Sequence, residues 1–186
     1  MQLAKENKKF FFGQIKKGAC SSEFEIAIQW LLDCGLIYKV NRVNEPQMPL
    51  KAYQSMNAYK LFMLDVGLLG ALSELPAISI LEGNDIFIEF KGALTEQYVL
   101  QQLISDTPYT PYYYGTEKAT FEQDFMIQKE DAIIPIEVKA ETNIRSQSLK
   151  AYCDKFHPKK AVRFSALKYM DQEWMVNIPL YAVCNL

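Results

Sequence analysis

The residues of this chain best suited to chemistry are carboxylates and lysines in its strand-rich second half: Asp124, then twelve residues, then Glu137-Val138-Lys139. Two strands joined by a tight hairpin would set Asp124 beside Glu137, and the two-residue step to Lys139 keeps that lysine on the face of Glu137. Two carboxylates converging in a partly dry place repel each other unless a cation lies between them. Oxygen ligands without His or Cys suit a hard ion, Mg²⁺ or Mn²⁺. Such an ion polarises a phosphodiester and lowers the pKa of a bound water. An ammonium beside it can orient that water or stabilise charge growing on the phosphate. The residues thus assign Asp124, Glu137 and Lys139 to catalysis. The competing reading is a Glu137–Lys139–Asp124 salt-bridge cluster on a solvated face.

Other chemistries find little material. The four cysteines, Cys20, Cys34, Cys153 and Cys184, include no C-x-x-C pair, and the single histidine, His157, cannot complete a zinc site with them. His157 lies in the charged stretch DKFHPKK, a poor place for a general base in a Ser-His-Asp or Cys-His scheme. The thiols are expected to be reduced and silent, with Cys34 ending an apolar helix and Cys184 in a core strand. A net charge of −2, 49% hydrophobic residues and only eight Gly and eight Pro exclude a disordered tail, a collagen repeat and a disulfide-dense mini-protein. The length suits one domain or a small module joined to a larger one. Without an apolar run of about 18 residues, and with no apolar run behind the charges of MQLAKENKK, the expectation is no membrane span, no secretory leader and a cytoplasmic location.

Charge divides the chain: residues 1–60 carry nine bases and five acids, and the remainder eleven bases and seventeen acids. In SSEFEIAIQWLLDCGLI, Ser21 or Ser22 is placed to cap a helix whose Phe24, Ile26, Ala27, Trp30 and Leu31 recur at helical spacing, with Gly35 ending it. LIYKVNRV reads as a strand and NEPQMP as a break. Residues 1–55 are therefore expected to form a basic, winged-helix-like module packed on an α/β domain over 56–186, with DNA as a candidate partner. YKLFMLD reads as a strand, VGLLGALSEL as a helix, and residues 86–105 as a long helix with an inner stripe of Ala93, Glu96, Leu100 and Leu103. A carboxylate in that stripe is costly unless paired, which nominates Glu96 as a third metal ligand beside Asp124 and Glu137. In FEQDFMIQ, strict alternation puts Phe121, Gln123, Phe125 and Ile127 on one face and Glu122, Asp124 and Met126 on the other. In AIIPIEVKA, Ile134, Ile136 and Val138 face one way, and Pro135, Glu137 and Lys139 the other. SQSLKAYCDKFH reads as a helix, KKAVRFS as a strand and NIPLYAVC as a closing strand. The order points to a three-layer α/β/α fold with a mixed sheet.

At these residues the chain also resembles a known family. LLDCGLIYKV, MPLKAY, YKLFMLDVGLL, KGALTEQYVLQQL, EQDFMI, PIEVKAETN, KKAVRFS and NIPLYAV look like consecutive motifs of a prokaryotic domain of unknown function that usually follows an AAA-type P-loop ATPase module. The resemblance implies a restriction-endonuclease-like fold of the PD-(D/E)xK class, with the family's helix acid on Glu96, its strand aspartate on Asp124 and its E-x-K on Glu137 and Lys139. MQLAKENKKFFF resembles the linker after the ATPase, and no G-x-x-x-x-G-K-[ST] occurs, so an ATPase module is an expected partner rather than part of these residues. Two functions follow as expectations: a Mg²⁺- or Mn²⁺-dependent nuclease-like, DNA-associated domain, or a non-catalytic interaction module of an ATPase with a vestigial nuclease site.

Overall fold

The computed structural model describes residues 10, 21–76, 78, 85–115, 122–140 and 146–186, without the side chains of 21–23 and 85–89. The expected Ser21 or Ser22 cap, the MQLAKENKK start, Cys20 and Phe121 lie outside what is described. Among the described residues eight strands form one mixed sheet in the order β2-β1-β3-β4-β5-β6-β8-β7. They are β1 (Ile37–Val43), β2 (Gln54–Met63), β3 (Tyr112–Gly115), β4 (Glu122–Lys129), β5 (Ala132–Lys139), β6 (Val162–Ser165), β7 (Met170–Asp171) and β8 (Val176–Pro179). The helices are α1 (Ser21–Asp33), α2 (Val66–Leu72), α3 (Asp85–Asp106) and α4 (Gln147–Phe156), with short 3₁₀ helices at Leu50–Tyr53 and Leu180–Asn185.

The helix ends have local causes. Gly35 adopts φ +69°, and the N–H groups of Gly35 and Leu36 return to the carbonyls of Leu32 and Leu31, so α1 closes in a Schellman motif. Asp65 caps α2 by accepting the Leu68 N–H at 2.8 Å. His157, left-handed at φ 48°, ends α4 just before Pro158.

Two helices cover opposite faces of the sheet. Val99, Leu100 and Leu103 of α3 pack on Val40, Phe62, Phe125, Ile127, Ile134 and Ile136. On the other face Tyr152 of α4 meets Tyr112, Tyr114 and Met126. Each such side chain contributes about 1.5–3 kcal/mol by leaving water. Gln97 of α3 reaches the edge strand β2, where its Oε1 accepts the Met63 N–H at 3.0 Å and its Nε2 donates to the Met63 carbonyl at 2.8 Å. That amide takes up both backbone groups of Met63 on the edge strand, and the Phe10 N–H takes up the Tyr59 carbonyl further along it at 2.9 Å.

Three sequence expectations change. The inward face of α1 is Ile28, Leu31 and Leu32, which pack near Ile37, Leu61, Met63 and Leu69, whereas Ile26 and Trp30 are 83% and 66% exposed. The periodicity was right; the partner surface at the β1–β2 end selects the face. The closing strand stops at Pro179, which has no N–H to extend the ladder, and the chain turns into a 3₁₀ helix that leaves Cys184 exposed rather than in a core strand. The alternation of β4 is broken by a bulge. Its pairing with β3 runs Tyr112↔Met126 and then Tyr114↔Gln123, so one extra residue of β4 lies between Gln123 and Met126. Gln123 thus joins Met126 on the α4 side, where its Nε2 donates to the Ser148 carbonyl at 3.0 Å. Glu122 turns to the α3 side with Phe125.

Strand β1, from the segment read as a separate module, hydrogen-bonds to both β2 and β3 and so is part of the large sheet. Among the described residues no helix is long and apolar enough to cross a membrane.

Candidate functional site

The site is built where β4 and β5 part. Their antiparallel register runs from Lys129↔Ala132 up to Phe125↔Ile136. One step further Asp124 would oppose Glu137, and there the ladder ends. The Asp124 carboxylate takes over from the backbone, its Oδ2 accepting the Val138 N–H at 2.7 Å. The spacing therefore does bring Asp124, Glu137 and Lys139 together, at the bulge that frees Asp124 from strict alternation. Lys139 Nζ lies 2.6 Å from Glu137 Oε1, with the lysine partly exposed and Glu137 buried at 4%. Glu137 Oε2 is buried and has no hydrogen-bond partner. Burial pushes the Asp124 carboxyl up to about 6, and nearby Glu137 adds to that. The Lys60 ammonium, the Val138 N–H and Lys139 work in the opposite direction.

Lys60 is the residue that the spacing argument missed. It stands on β2 opposite Val40, 1% exposed, with its Nζ 2.5 Å from Glu122 Oε1 and 4.9 Å from the centre of the Tyr113 ring. Burial alone would lower its pKa, yet the charges of Glu96, Glu122 and Asp124 raise it, so it stays an ammonium ion. Glu96 is therefore placed by α3 toward Lys60. A signal was present in the sequence: Lys60 interrupts an apolar strand in phase with Phe62, which faces the core. Burial also pushes the Tyr113 hydroxyl up to about 12, keeping it neutral.

On the α4 side Glu137 pairs in register with Arg163 of β6. Arg163 is buried, donating from Nε to Asn177 Oδ1 at 2.9 Å and from Nη1 to Ser146 Oγ at 3.3 Å. Burial lowers its pKa and the Glu137 charge opposes that.

The three expected ligands are thus divided: Glu96 with Lys60, Glu137 with Lys139, and Asp124 between them under both influences. Among the described residues no group of three or more His, Cys, Asp or Glu side chains is placed to hold a metal ion. The Glu96–Asp124–Glu137 trio does not fit one cation in this arrangement. The Asp124–Glu137 pair does fit a smaller role, because Mg²⁺ is commonly held by one or two carboxylates with water and substrate oxygens completing its shell. The buried, unpartnered Glu137 Oε2 is the donor that such an ion would use.

Residues 91–182 match a family model described as a domain of unknown function (DUF4143), and residues 1–79 match a second one (DUF8612). The DUF4143 match spans just under half of the chain. Glu96, Asp124, Glu137 and Lys139 all fall within it, while Lys60 comes from the DUF8612 match. No curated protein and no solved structure matches the chain. Cys34, Cys153 and Cys184 form no disulfide, and burial raises the Cys153 thiol to about 11, which keeps it protonated.

Proposed function

We propose that the chain is a metal-dependent, nuclease-like domain directed at DNA phosphodiesters, built on a restriction-endonuclease-like PD-(D/E)xK fold. The observation that carries this is the end of the β4–β5 ladder, beside the bulge of β4 against β3, where a desolvated Asp124 meets Glu137 and Lys139. In this reading Asp124 and Glu137 hold Mg²⁺ or Mn²⁺, which when bound supplies Lewis-acid polarisation of the phosphodiester. Lys139 is partly exposed beside Glu137 and stabilises negative charge growing on the phosphate. The winged-helix-like grouping of residues 1–55 supplies phosphate contacts through its surplus of bases. An ATPase module is the natural companion of the domain, and the cytoplasm its location.

The test is calorimetric titration of the full chain with Mn²⁺ beside a plasmid-nicking assay. The expected result is one Mn²⁺ bound, lost in Asp124→Asn and Glu137→Gln. Lys139→Ala is expected to keep the ion and to lose about 10²–10³-fold in nicking. Unchanged Mn²⁺ affinity in Asp124→Asn would sink the site.

A second reading is a non-catalytic interaction module with a vestigial nuclease face. It is favoured by the Lys60 ammonium among the acids and by the lack of a three-ligand group among the described residues. Mn²⁺ binding without cleavage of any nucleic acid would select it.

A further inference from the structure

We infer that Gln123 is a positioning residue for this site: its side-chain amide pins the bulge of β4 to the first turn of α4 and so holds the Asp124 carboxylate on the Val138 N–H. The inference deepens the proposed function and rests on its reading of Asp124 as a working carboxylate. Three observations carry it. Gln123 is fully buried, and its Nε2 donates to the Ser148 carbonyl of α4 at 3.0 Å and to the neighbouring Glu122 carbonyl at 3.3 Å. It stands at the edge of the bulge, since the pairing with β3 shifts register between Tyr114↔Gln123 and Tyr112↔Met126. Its Oε1 is buried as well, and has no hydrogen-bond partner.

A buried acceptor left without a donor costs stability, so the fold alone gives no reason for an amide here. A methionine of similar length would avoid that cost, but it could not donate to Ser148. The donated bond decides the course of β4. Phe125 opposes Ile136, and had the ladder run on, Gln123 would oppose Val138 and its backbone would meet the Val138 N–H. Gln123 would then point to the α3 side with Phe125, and Asp124 to the α4 side with Met126, as strict alternation demands. Donation to Ser148 holds Gln123 on the α4 side instead, and the Val138 N–H goes to Asp124 Oδ2 at 2.7 Å. The same turn carries Glu122 across to Lys60, whose Nζ lies 2.5 Å from Glu122 Oε1. One buried amide thus selects the bulged strand over the regular one.

Proton–nitrogen correlation spectra and plasmid-nicking kinetics of the full chain, of Gln123→Met and of Leu149→Val test this. Leu149, buried in α4 against Ala161 and Met175, serves as the control for loosened packing of the helix. Gln123→Met is expected to move the Val138 amide proton upfield, because a charge-assisted bond is lost or exchanged for a backbone one. Its melting temperature should stay within about 4 °C of that of the unaltered chain. Leu149→Val should melt lower and leave the Val138 resonance in place. In nicking, Gln123→Met should lower kcat about 10²-fold at an unchanged KM for DNA, as expected of a displaced carboxylate. A Val138 resonance that does not move in Gln123→Met would overturn the inference, and so would an unchanged kcat where the unaltered chain nicks. If Gln123→Met folds too poorly for spectra, the unaltered chain decides. Its Gln123 side-chain amide protons should exchange with solvent at least about tenfold more slowly than those of exposed Gln47, and equal rates would overturn the inference. The outcomes separate it from the proposed function: a moved Val138 resonance in Gln123→Met, with no nicking by the unaltered chain, sinks only the enzyme.

Discussion

Two buried cations lie beside the Asp124–Glu137 pair, Lys60 acting on Asp124 and Arg163 on Glu137, and they are held in different ways. Lys60, on the α3 side, is compensated by charge: Glu96, Glu122 and Asp124 raise its pKa against the effect of burial. Arg163, on the α4 side, is compensated mainly by neutral acceptors, Asn177 Oδ1 and Ser146 Oγ, and its pKa is lowered. Asn177 Oδ1 also accepts from Ser165 Oγ at 2.7 Å, so the Arg163 network ties the start of α4 to β6 and β8. The guanidinium is a planar fork suited to fixed acceptors, whereas the ammonium is a compact charge suited to a crowd of carboxylates. On the Arg163 side Nε and Nη1 are each fixed to a neutral acceptor. On the Lys60 side the ammonium pairs directly with Glu122, and the charges of Glu96 and Asp124 add to that.

The sharpest way to break this comparison is to remove each cation. Arg163→Met is expected to cost about 2–5 kcal/mol in urea unfolding, because it strands two buried neutral acceptors, neither of which titrates. The loss should be nearly constant between about pH 5 and pH 8. Lys60→Met is expected to lose a similar amount at pH 8, but the loss should shrink on acidification as the stranded carboxylates take up protons. Parallel pH profiles for the two variants would erase the distinction.

Asp124→Asn comes next. An acid whose folded pKa is raised holds its proton more tightly in the folded state, so its ionisation costs stability. From 3.8 to about 6, the cost is up to about 3 kcal/mol, fully present above pH 6 and absent below 3.8. In EDTA the variant should therefore be more stable than the unaltered chain at pH 8, with the advantage fading from pH 6 to pH 4. The new amide oxygen can still accept the Val138 N–H. No gain at pH 8 would mean that the attraction of Lys60 outweighs burial.

A smaller effect is expected at Tyr113. Tyr113→Leu removes the ring beneath the ammonium and should cost about 0.5–2 kcal/mol. Tyr113→Phe keeps the ring and removes a buried hydroxyl with no hydrogen-bond partner, so it should be neutral or mildly stabilising in the same urea assay. Equal losses in the two would assign the role to the hydroxyl. The smallest effect is at the far hairpin, where Lys159 donates to exposed Asp131 and holds its pKa down. Stability from that pair is present above the ordinary aspartate pKa and lost as pH falls below it. Asp131→Asn should lower the melting temperature slightly at neutral pH, and the difference should vanish in acid and in about 1 M salt.

Much of the scaffold was legible because its signals are local. Helical spacing located α1, α3 and α4, and apolar runs between turn residues located β1 to β6. Gly35 announced the end of α1, and the E-x-K step put Glu137 and Lys139 on one face. The misses were not local. Which face of α1 turns inward was set by the β1–β2 surface, and the strand that carries Cys184 was cut short by Pro179 at the sheet's end. A bulge is one residue long and leaves composition unchanged, so the alternation of β4 concealed it.

The candidate site shows the same boundary. The sequence by itself determined which side chains could do chemistry and that Asp124 and Glu137 would be neighbours, since a hairpin of known loop length fixes which residues oppose each other. Only the tertiary structure decided how their charges are balanced. Lys60 is 64 residues before Asp124 and reaches it because β1 links β2 to β3 in one sheet, and α3 brings Glu96 to the same ammonium. Electrostatic energy depends on distance and burial rather than on position along the chain. A lysine in an apolar strand therefore reads as an oddity in sequence and becomes, in the folded protein, the buried cation that pairs with Glu122 and acts on Asp124.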